Sequence, residues 1–548
     1  MTADGGRDDR PPDSPANHGS AGAGPDLDSG PGPDPSPDAR GATDRPTEKC
    51  GVVGVSVAGE AARPVYYALY ALQHRGQESA GIVTHDGFQQ HEHVEMGLVG
   101  DAVGPDDVER LRGGAGIGHV RYPTAGSVDK ACAQPFSVSF RSGALGLSHN
   151  GNLVNADELR RELAADGHPF TSDGDTEVIA HDLARHLLEH DAVEAVRRTM
   201  ERVHGSYSLA VTLDDTVMGV RDPRGNRPLC LGELDDGYVL ASESAAIDTL
   251  GGEFVRDVRP GELVVLEPDG EGYDSRQLVA RDRSAHCFFE HVYFARPDST
   301  IDGRLVYEAR REMGRRLWHE SGIETDVVMP VPDSGRAFAS GYAEAASEAG
   351  ARTEFAEGLM KNRYVGRTFI MPSAEERERA VRLKLNPIRS TVEGRSVTLI
   401  DDSVVRGTTS TELVSLLDRA GAEAVHLRIG SPPIVAPCYM GIDMATREEL
   451  IAARDATDAD ADAGEGEGAA DGATATDVEA VREQVGADSL AYLSPAGVAA
   501  AIGVDRADLC MACVTGEYPY DVDGEATDRD VQRPAVGASA ETGAEADD

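Results

Sequence analysis

Residues 396–422 read SVTLIDDSVVRGTTSTELVSLLDRAGA, and this stretch decides the fold of the second half of the chain. Val397, Leu399 and Ile400 form an apolar run of the kind buried in a parallel sheet. Asp401 and Asp402 end that strand. The loop that follows, Ser403 to Ser410 with Arg406, Gly407, Thr408 and Thr409, leads into a helix with Leu413, Leu416 and Leu417 on one face. Gly421 is placed to stop the helix. A strand, loop and helix in this order aim backbone N–H groups and a helix N-terminus at an anion, which suits a phosphate monoester. Two adjacent carboxylates ahead of the loop suit ribose hydroxyls with a magnesium ion nearby.

Two other segments fit the same ligand. VMPVPDSGRAFA (328–339) reads as a second strand-to-helix turn, and it carries Ser334. KNRYVGRTFI (361–370) is basic and contains a glycine. Its Lys361, Arg363 and Arg367 concentrate positive charge, with Lys384, Arg389 and Arg406 elsewhere in this half. Such clustering is unexpected in an acidic chain unless a polyanion binds there.

The acidity is pronounced. The 548 residues carry a net charge of -44, which argues against bulk attraction to nucleic acid or an anionic membrane. Three stretches without apolar periodicity hold part of it: 1–49 (net -5), 455–477 (net -8) and 521–548 (net -7), read as a leader, an inserted loop and a tail. The remaining core still carries -24. Lysine occurs only at 49, 130, 361 and 384. An acid-rich, lysine-poor surface resembles proteins from very salty cytoplasm, where screening removes self-repulsion. Apolar residues at 40% supply sizeable cores, and the length allows two to four domains. With no apolar run of about 18 residues and no signal peptide, a soluble cytoplasmic protein is expected. Seven cysteines in this length do not make a disulfide framework.

The first half changes character at Cys50. CGVVGVSV reads as an apolar strand, and VYYALYALQHRG (65–76) as a helix closed by Gly76. In GHVRYPTAG (118–126), Arg121 stands beside a turn signal, where its guanidinium could hold a carboxylate through paired hydrogen bonds. SHNGNLVNA (148–156) places Asn150 and Gly151 in an expected turn, where a side-chain amide and a backbone N–H can form an oxyanion hole. SDGDTEVIA (172–180) offers Asp175, at the mouth of a helix, to an ammonium group.

Together with LQHRGQESAGI (72–82) and Cys50, these motifs resemble the N-terminal-nucleophile glutamine amidotransferases of the phosphoribosyl branch. The resemblance implies that Cys50 attacks the glutamine amide, with its own α-amine as the base. Asn150 and the Gly151 N–H would steady the oxyanion. Arg121 and Thr124 would orient the substrate carboxylate, and Asp175 its amine. This chemistry requires a cut between Lys49 and Cys50, so residues 1–49 are expected to be a propeptide. The stretch 396–422 resembles the phosphoribosyl pyrophosphate motif of type I phosphoribosyltransferases. That resemblance assigns the ligand to Asp401, Asp402, Ser403, Arg406, Gly407, Thr408, Thr409 and Ser410, with Lys361, Arg363 and Arg367 on a closing loop. Magnesium would sit near Ser334, Asp401 and Asp402.

Cys510 and Cys513 form a C-x-x-C, while Cys287 and Cys438 lie in HCFFEHVYFARPDS and SPPIVAPCYMGID. One C-x-x-C could be redox-active or half a zinc site, and four cysteines from three places also suit a cubane iron–sulfur cluster. The flanking sequences resemble the cluster-containing subgroup of glutamine phosphoribosyl pyrophosphate amidotransferases, which implies a [4Fe–4S] cluster. Cys132 and Cys230 read as plain buried thiols.

The resemblance implies an α+β N-terminal-nucleophile glutaminase domain (αββα sandwich, 50–283) followed by an α/β type I phosphoribosyltransferase domain (284–520). The implied reaction opens purine synthesis: glutamine, phosphoribosyl pyrophosphate and water give 5-phosphoribosylamine, glutamate and pyrophosphate. Purine nucleotides are implied as inhibitors, and a dimer or tetramer as the assembly. A hexosamine-forming amidotransferase would need sugar-isomerase domains in place of DDSVVRGTT. A non-catalytic purine-nucleotide sensor on the phosphoribosyltransferase fold would need neither Cys50 nor the basic loop.

Overall fold

The computed structural model describes residues 50–122, 130–141, 143–362, 384–442, 444, 446–453 and 477–522. The expected leader lies outside them, as do the insertion except Asp477, the tail beyond Val522, and Thr124, Arg363 and Arg367. No helix among the described residues is long and apolar enough to cross a membrane.

The first half is built from two antiparallel sheets. One has seven strands in the order Glu253–Asp257, Cys230–Leu234, Gly237–Ala241, Cys50–Val57, Ala115–Arg121, Ser79–His85, Gln90–Met96. The other has six, in the order Tyr273–Gln277, Glu262–Leu266, Thr216–Arg221, Gly205–Leu213, Gly143–Leu153, Phe136–Phe140. Alternation along each strand turns one set of side chains toward the other sheet. Val52, Val83 and Ile117 from the first sheet meet Ala210, Val217 and Val264 from the second in a fully buried layer. The outer faces are covered by helices. Ala62–Ala71 contributes Val65 and Leu69 to the first, and Asp175–Leu187 with Ala192–Arg202 contributes Ile179, Leu183 and Val196 to the second. The result is the αββα sandwich.

The second half carries a parallel five-stranded sheet, ordered Glu354–Phe355, Val327–Pro330, Ser396–Asp401, Ala424–Ile429, Ser489–Tyr492. Helices cover both faces. Val306–Ser321, Arg336–Glu348 and Pro495–Ile502 pack on one side, with Met313, Phe338 and Val498 at the contact. Thr408–Arg419 and Val478–Val485 pack on the other through Leu413, Leu417 and Val481. This doubly wound arrangement puts the carboxyl ends of the strands, and so Asp401, at the ligand crevice. Gly421, at φ +93°, follows the helix Thr408–Arg419 as expected.

One boundary differs from the reading of the sequence. The first helix ends at Ala71, not at Gly76. Gly76 is instead a close-approach glycine: a Cβ there would stand 2.4 Å from the backbone N of Arg121. The helix pattern ran on because Leu72 continues the apolar face, whereas the chain turns to lay Gly76 against the end of the neighbouring strand.

The two halves meet through buried charge. Arg75 is fully buried, hydrogen-bonds Glu243 through Nε, and donates to Glu290 at 2.6 and 3.3 Å. Arg227 donates to the same Glu290 carboxylate at 3.2 Å. Glu243 in turn accepts from the Arg296 N–H at 2.9 Å and the Ser299 hydroxyl at 2.6 Å. Burial pulls the Arg75 pKa down, but Glu243 and Glu290 outweigh it and hold the guanidinium protonated. The Arg75 guanidinium also lies 4.6 Å from the Phe294 ring centroid. Arg75→Ala is expected to destabilise the protein by about 3–5 kcal/mol, because buried Glu243 loses its arginine and buried Glu290 keeps only Arg227. Equilibrium urea unfolding checks this, and a loss below about 1 kcal/mol would mean that the network relaxes around the deletion.

Candidate active site

Cys50 begins a central strand of the seven-stranded sheet and pairs in register with Arg121, which in turn pairs with Ser79. Both Cys50 and Arg121 are buried. Arg121 lies 3.4 Å from the Glu78 carboxylate. Burial raises the Glu78 carboxyl above its ordinary range, with Arg121 pulling the other way. Two residues back along Arg121's strand, His119 donates from Nε2 to the His149 carbonyl oxygen at 3.0 Å. Burial drives the His119 pKa down to about 3, so the ring is neutral. That bond joins the end of the Cys50 sheet to the opposite sheet, one residue before Asn150.

Asn150 and Gly151 do not sit in a turn. They lie inside the strand Gly143–Leu153, opposite Ser208 and Tyr207. The Asn-Gly pair reads as a turn because both residues tolerate positive φ, but here pairing with the next strand overrides that preference. Gly151 has φ +153°, and a Cβ would fall 2.0 Å from the Ser206 carbonyl oxygen. The glycine is required by close approach. The Asn150 side chain is fully buried, and neither of its polar atoms has a hydrogen-bond partner among the described residues. A buried amide left unmatched is costly unless a ligand completes it.

Asp175 opens the helix Asp175–Leu187 as expected. One carboxylate oxygen accepts from the Leu153 N–H at 2.9 Å, and the other faces His149 Nδ1 at 3.3 Å. Burial works to raise its pKa, but His149 and the backbone donors prevail, and Asp175 stays ionised. His149 also faces the Ser206 carbonyl at 3.3 Å, and its backbone N–H donates to Gln134 at 2.7 Å. His119, His149 and Gln134 were not singled out in the sequence. His149 adjoins Asn150 in SHNGN and was within reach of that motif, whereas His119 and Gln134 carry no local signal.

In the second half, Asp401 and Asp402 are buried at the end of their strand. Burial raises both carboxyl pKa values, and the neighbouring Asp402 raises that of Asp401 further. Ser334 hydrogen-bonds Asp402, and the Ser403 hydroxyl donates to it at 2.6 Å. So Ser334 is brought from its separate turn to the paired carboxylates. Gly407, at φ +78°, caps the helix that Thr408, Thr409 and Ser410 open. A Cβ on Gly407 would meet Ile451 at 2.3 Å. Arg406 is exposed, 3.2 Å from Glu449. Lys361 reaches Asp333, the residue before Ser334, at 2.5 Å. Ser334 thus links the paired carboxylates to the turn that Lys361 contacts, and the loop and helix start follow those carboxylates directly in the chain.

The four cysteines also converge. His286–Cys287 and Leu509–Cys510 pair as a two-residue parallel ladder, with Cys287 opposite Cys510. The N–H groups of Val435 and Ala436 donate to the Cys513 carbonyl at 2.9 and 3.1 Å, which brings the Cys438 segment alongside. Cys438 acts electrostatically on each of Cys287, Cys510 and Cys513, Cys287 also feels Cys510, and Cys513 feels both Cys287 and Cys510. Burial pushes the Cys287 and Cys510 thiols up to about 12 and 11. Arg227, fully buried, faces Cys287 and Cys438, and its Nε has no hydrogen-bond partner among the described residues. Among those residues, no group of three or more His, Cys, Asp or Glu side chains is placed to hold a single metal ion. Cys230 is buried as expected, and Cys132 half-buried.

Known proteins place this architecture. Residues 123–249 match a glutamine amidotransferase domain family. The chain is 49% identical over 481 residues to the amidophosphoribosyltransferase of Archaeoglobus fulgidus, covering 87% of this chain and 99% of that one. It is 46% identical over 493 residues to that of Methanocaldococcus jannaschii, covering 87% and 98%. The solved structure of B. subtilis glutamine phosphoribosylpyrophosphate amidotransferase, complexed with ADP and GMP, is 40% identical and superposes with a TM-score of 0.77. That match covers 87% of this chain and 98% of the solved one. With a glutaminase sandwich and a doubly wound sheet joined as in that structure, the chain belongs to the amidophosphoribosyltransferase family.

Proposed function

We propose that the chain converts glutamine, phosphoribosyl pyrophosphate and water to 5-phosphoribosylamine, glutamate and pyrophosphate, the first step of purine synthesis. The observation that carries this is Asn150, a buried amide without a partner among the described residues, set beside Gly151 and one residue after the His149 carbonyl that His119 of the facing sheet bonds. The Cys50 α-amine, exposed by a cut after Lys49, takes the thiol proton, and the sulfur attacks the glutamine amide carbon. The oxyanion falls to Asn150 and the Gly151 N–H. The C–N bond breaks, ammonia leaves, and water hydrolyses the thioester to glutamate. Arg121 and Thr124 hold the substrate carboxylate, and Asp175, ionised beside His149, accepts from its ammonium group.

At the second site, ammonia forms a bond to ribose C1 as the bond to pyrophosphate breaks. The loop 403–410 holds the phosphate, Asp401 and Asp402 hold the ribose hydroxyls, and Lys361, Arg363 and Arg367 neutralise the leaving group. Asp401, Asp402 and Ser334 would hold magnesium, which supplies charge neutralisation at the pyrophosphate. The gathered carboxylates and hydroxyl are hard oxygen donors, as that ion prefers.

Cys287, Cys438, Cys510 and Cys513 would hold a [4Fe–4S] cluster as a structural group. Four thiols gathered from three segments suit its donor set, and the Arg227 charge and the Met440 N–H donating to Cys438 Sγ at 3.3 Å suit its negative sulfurs. The division at 283/284, the propeptide, a salty cytoplasmic setting, a homo-oligomer and inhibition by purine nucleotides belong to the same proposal. The nucleotides of the B. subtilis complex support the last of these. A non-catalytic sensor would have no use for Asn150.

The test uses protein purified without oxygen and assayed in molar potassium chloride with magnesium. Glutamate and pyrophosphate are expected in equal amounts, each dependent on both substrates. Glutamate without pyrophosphate, or neither product, would overturn the coupled reaction.

A further inference from the structure

The oxyanion strand is held from outside its own sandwich. The segment Cys438–Ile442 belongs to the second half of the chain, yet it contacts that strand at two points and the strand paired with it, Gly205–Leu213, at a third. Gly441, at φ +85°, packs so closely on Gly151 that a Cβ would stand 2.8 Å from the Gly151 carbonyl carbon and 2.9 Å from its oxygen. The Asn152 side-chain amide donates to the Tyr439 carbonyl at 2.9 Å. The Ser206 hydroxyl donates to the Met440 carbonyl at 2.8 Å while accepting from the Asn152 N–H at 3.2 Å. Arg227 adds a fourth tie, donating to the same Met440 carbonyl at 2.7 Å. The segment is itself pinned at its base, where residues 435 and 436 bond the Cys513 carbonyl. None of this is needed to close the sandwich, whose sheets already have their own core.

We infer that Cys438–Ile442 is a positioning element for glutamine hydrolysis, supplied by the phosphoribosyltransferase half and acting on the Gly151 peptide through Gly441 and the Met440–Ser206–Asn152 chain. An oxyanion N–H works only if it points at where charge develops. Backbone packed against the Gly151 Cα, carbonyl carbon and oxygen restricts rotation about that residue, and so restrains the direction of its N–H. The element therefore makes glutamine chemistry depend on the seating of the other half, without touching the substrate.

The inference rests on the assignment of Asn150 and Gly151 to the oxyanion, and Cys50→Ala measured in parallel keeps the two apart. Two variants of the full chain test it, Gly441→Ala and Ser206→Ala. For both, glutamine-dependent kcat should fall, roughly tenfold or more for Gly441→Ala and a few-fold for Ser206→Ala. The glutamine KM should stay within about twofold, and ammonia-dependent pyrophosphate release should hold. Amide exchange at residues 149–153 should quicken in both variants without substrate, while the strand Ala115–Arg121 stays protected. Unchanged kcat and exchange, an effect on KM alone, or equal loss of glutamine- and ammonia-dependent reactions would overturn it. If Cys50→Ala still consumes glutamine, the nucleophile assignment falls, and with it the oxyanion assignment that depends on it.

Discussion

Cys50→Ala is expected to lower glutamine consumption by more than about a thousandfold, while ammonia-dependent release of pyrophosphate survives. The split follows from the architecture. Cys50 lies in the first sheet of the sandwich, and the paired carboxylates lie at the end of a different sheet in the other half of the chain. Removing a single sulfur from a buried strand position leaves a small void, and alanine fits the strand without strain. The deletion should therefore touch one reaction only. Glutamate measured by enzyme-coupled assay, alongside pyrophosphate with ammonium chloride as the nitrogen source, checks both arms. A variant that consumes glutamine normally would remove Cys50 from the mechanism.

The opposite pattern is expected for Asp402→Asn. Pyrophosphate release should fall by roughly a hundredfold or more with either nitrogen source, because the site that binds the ribose and its ion serves both. The substitution should not harm the fold. Asp401 and Asp402 are both buried, and burial already disfavours their charged forms. Exchanging one for a neutral amide of the same shape relieves that burden, so thermal stability without ligands should hold or rise by a few degrees. Loss of activity together with gain of stability would mark a site kept charged for its ligand. Normal turnover would show that the pair is not the substrate site.

The sequence was most readable where one segment carried both the structural signal and the chemistry. The run 396–422 contains its own strand, loop and helix, and the structure reproduces each, down to Gly421 after the helix end. Asp175 was legible for the same reason, since an acidic residue opening a helix announces its own backbone context. Asn150 and Gly151 were found by type but misplaced in a turn. What makes Gly151 necessary is the Ser206 carbonyl across the ladder, which no local window contains. Gly76 failed in the same way, its constraint being the backbone of Arg121. Arg75 lay within a quoted motif, but its partners Glu243 and Glu290 are 168 and 215 residues away, and an exposed charge pair would have left the same trace in the sequence.

The short ladder of Cys287 with Cys510 has a consequence for how the chain is made. Nearby, the Ser284 N–H bonds the Asp508 carboxylate at 3.2 Å across 224 residues. A ribosome delivers the first partner long before the second, so both sheets of the sandwich can be laid down while the later strands are still unsynthesised. The meeting of the four thiols cannot. Two of its four members arrive only with the last described segment, and closing so long a loop is held back by chain entropy until they do. The gathering of these cysteines thus registers completeness: a polypeptide stopped short of Leu509 has its glutaminase sheets in full, and even the parallel sheet, but neither Cys510 nor Cys513.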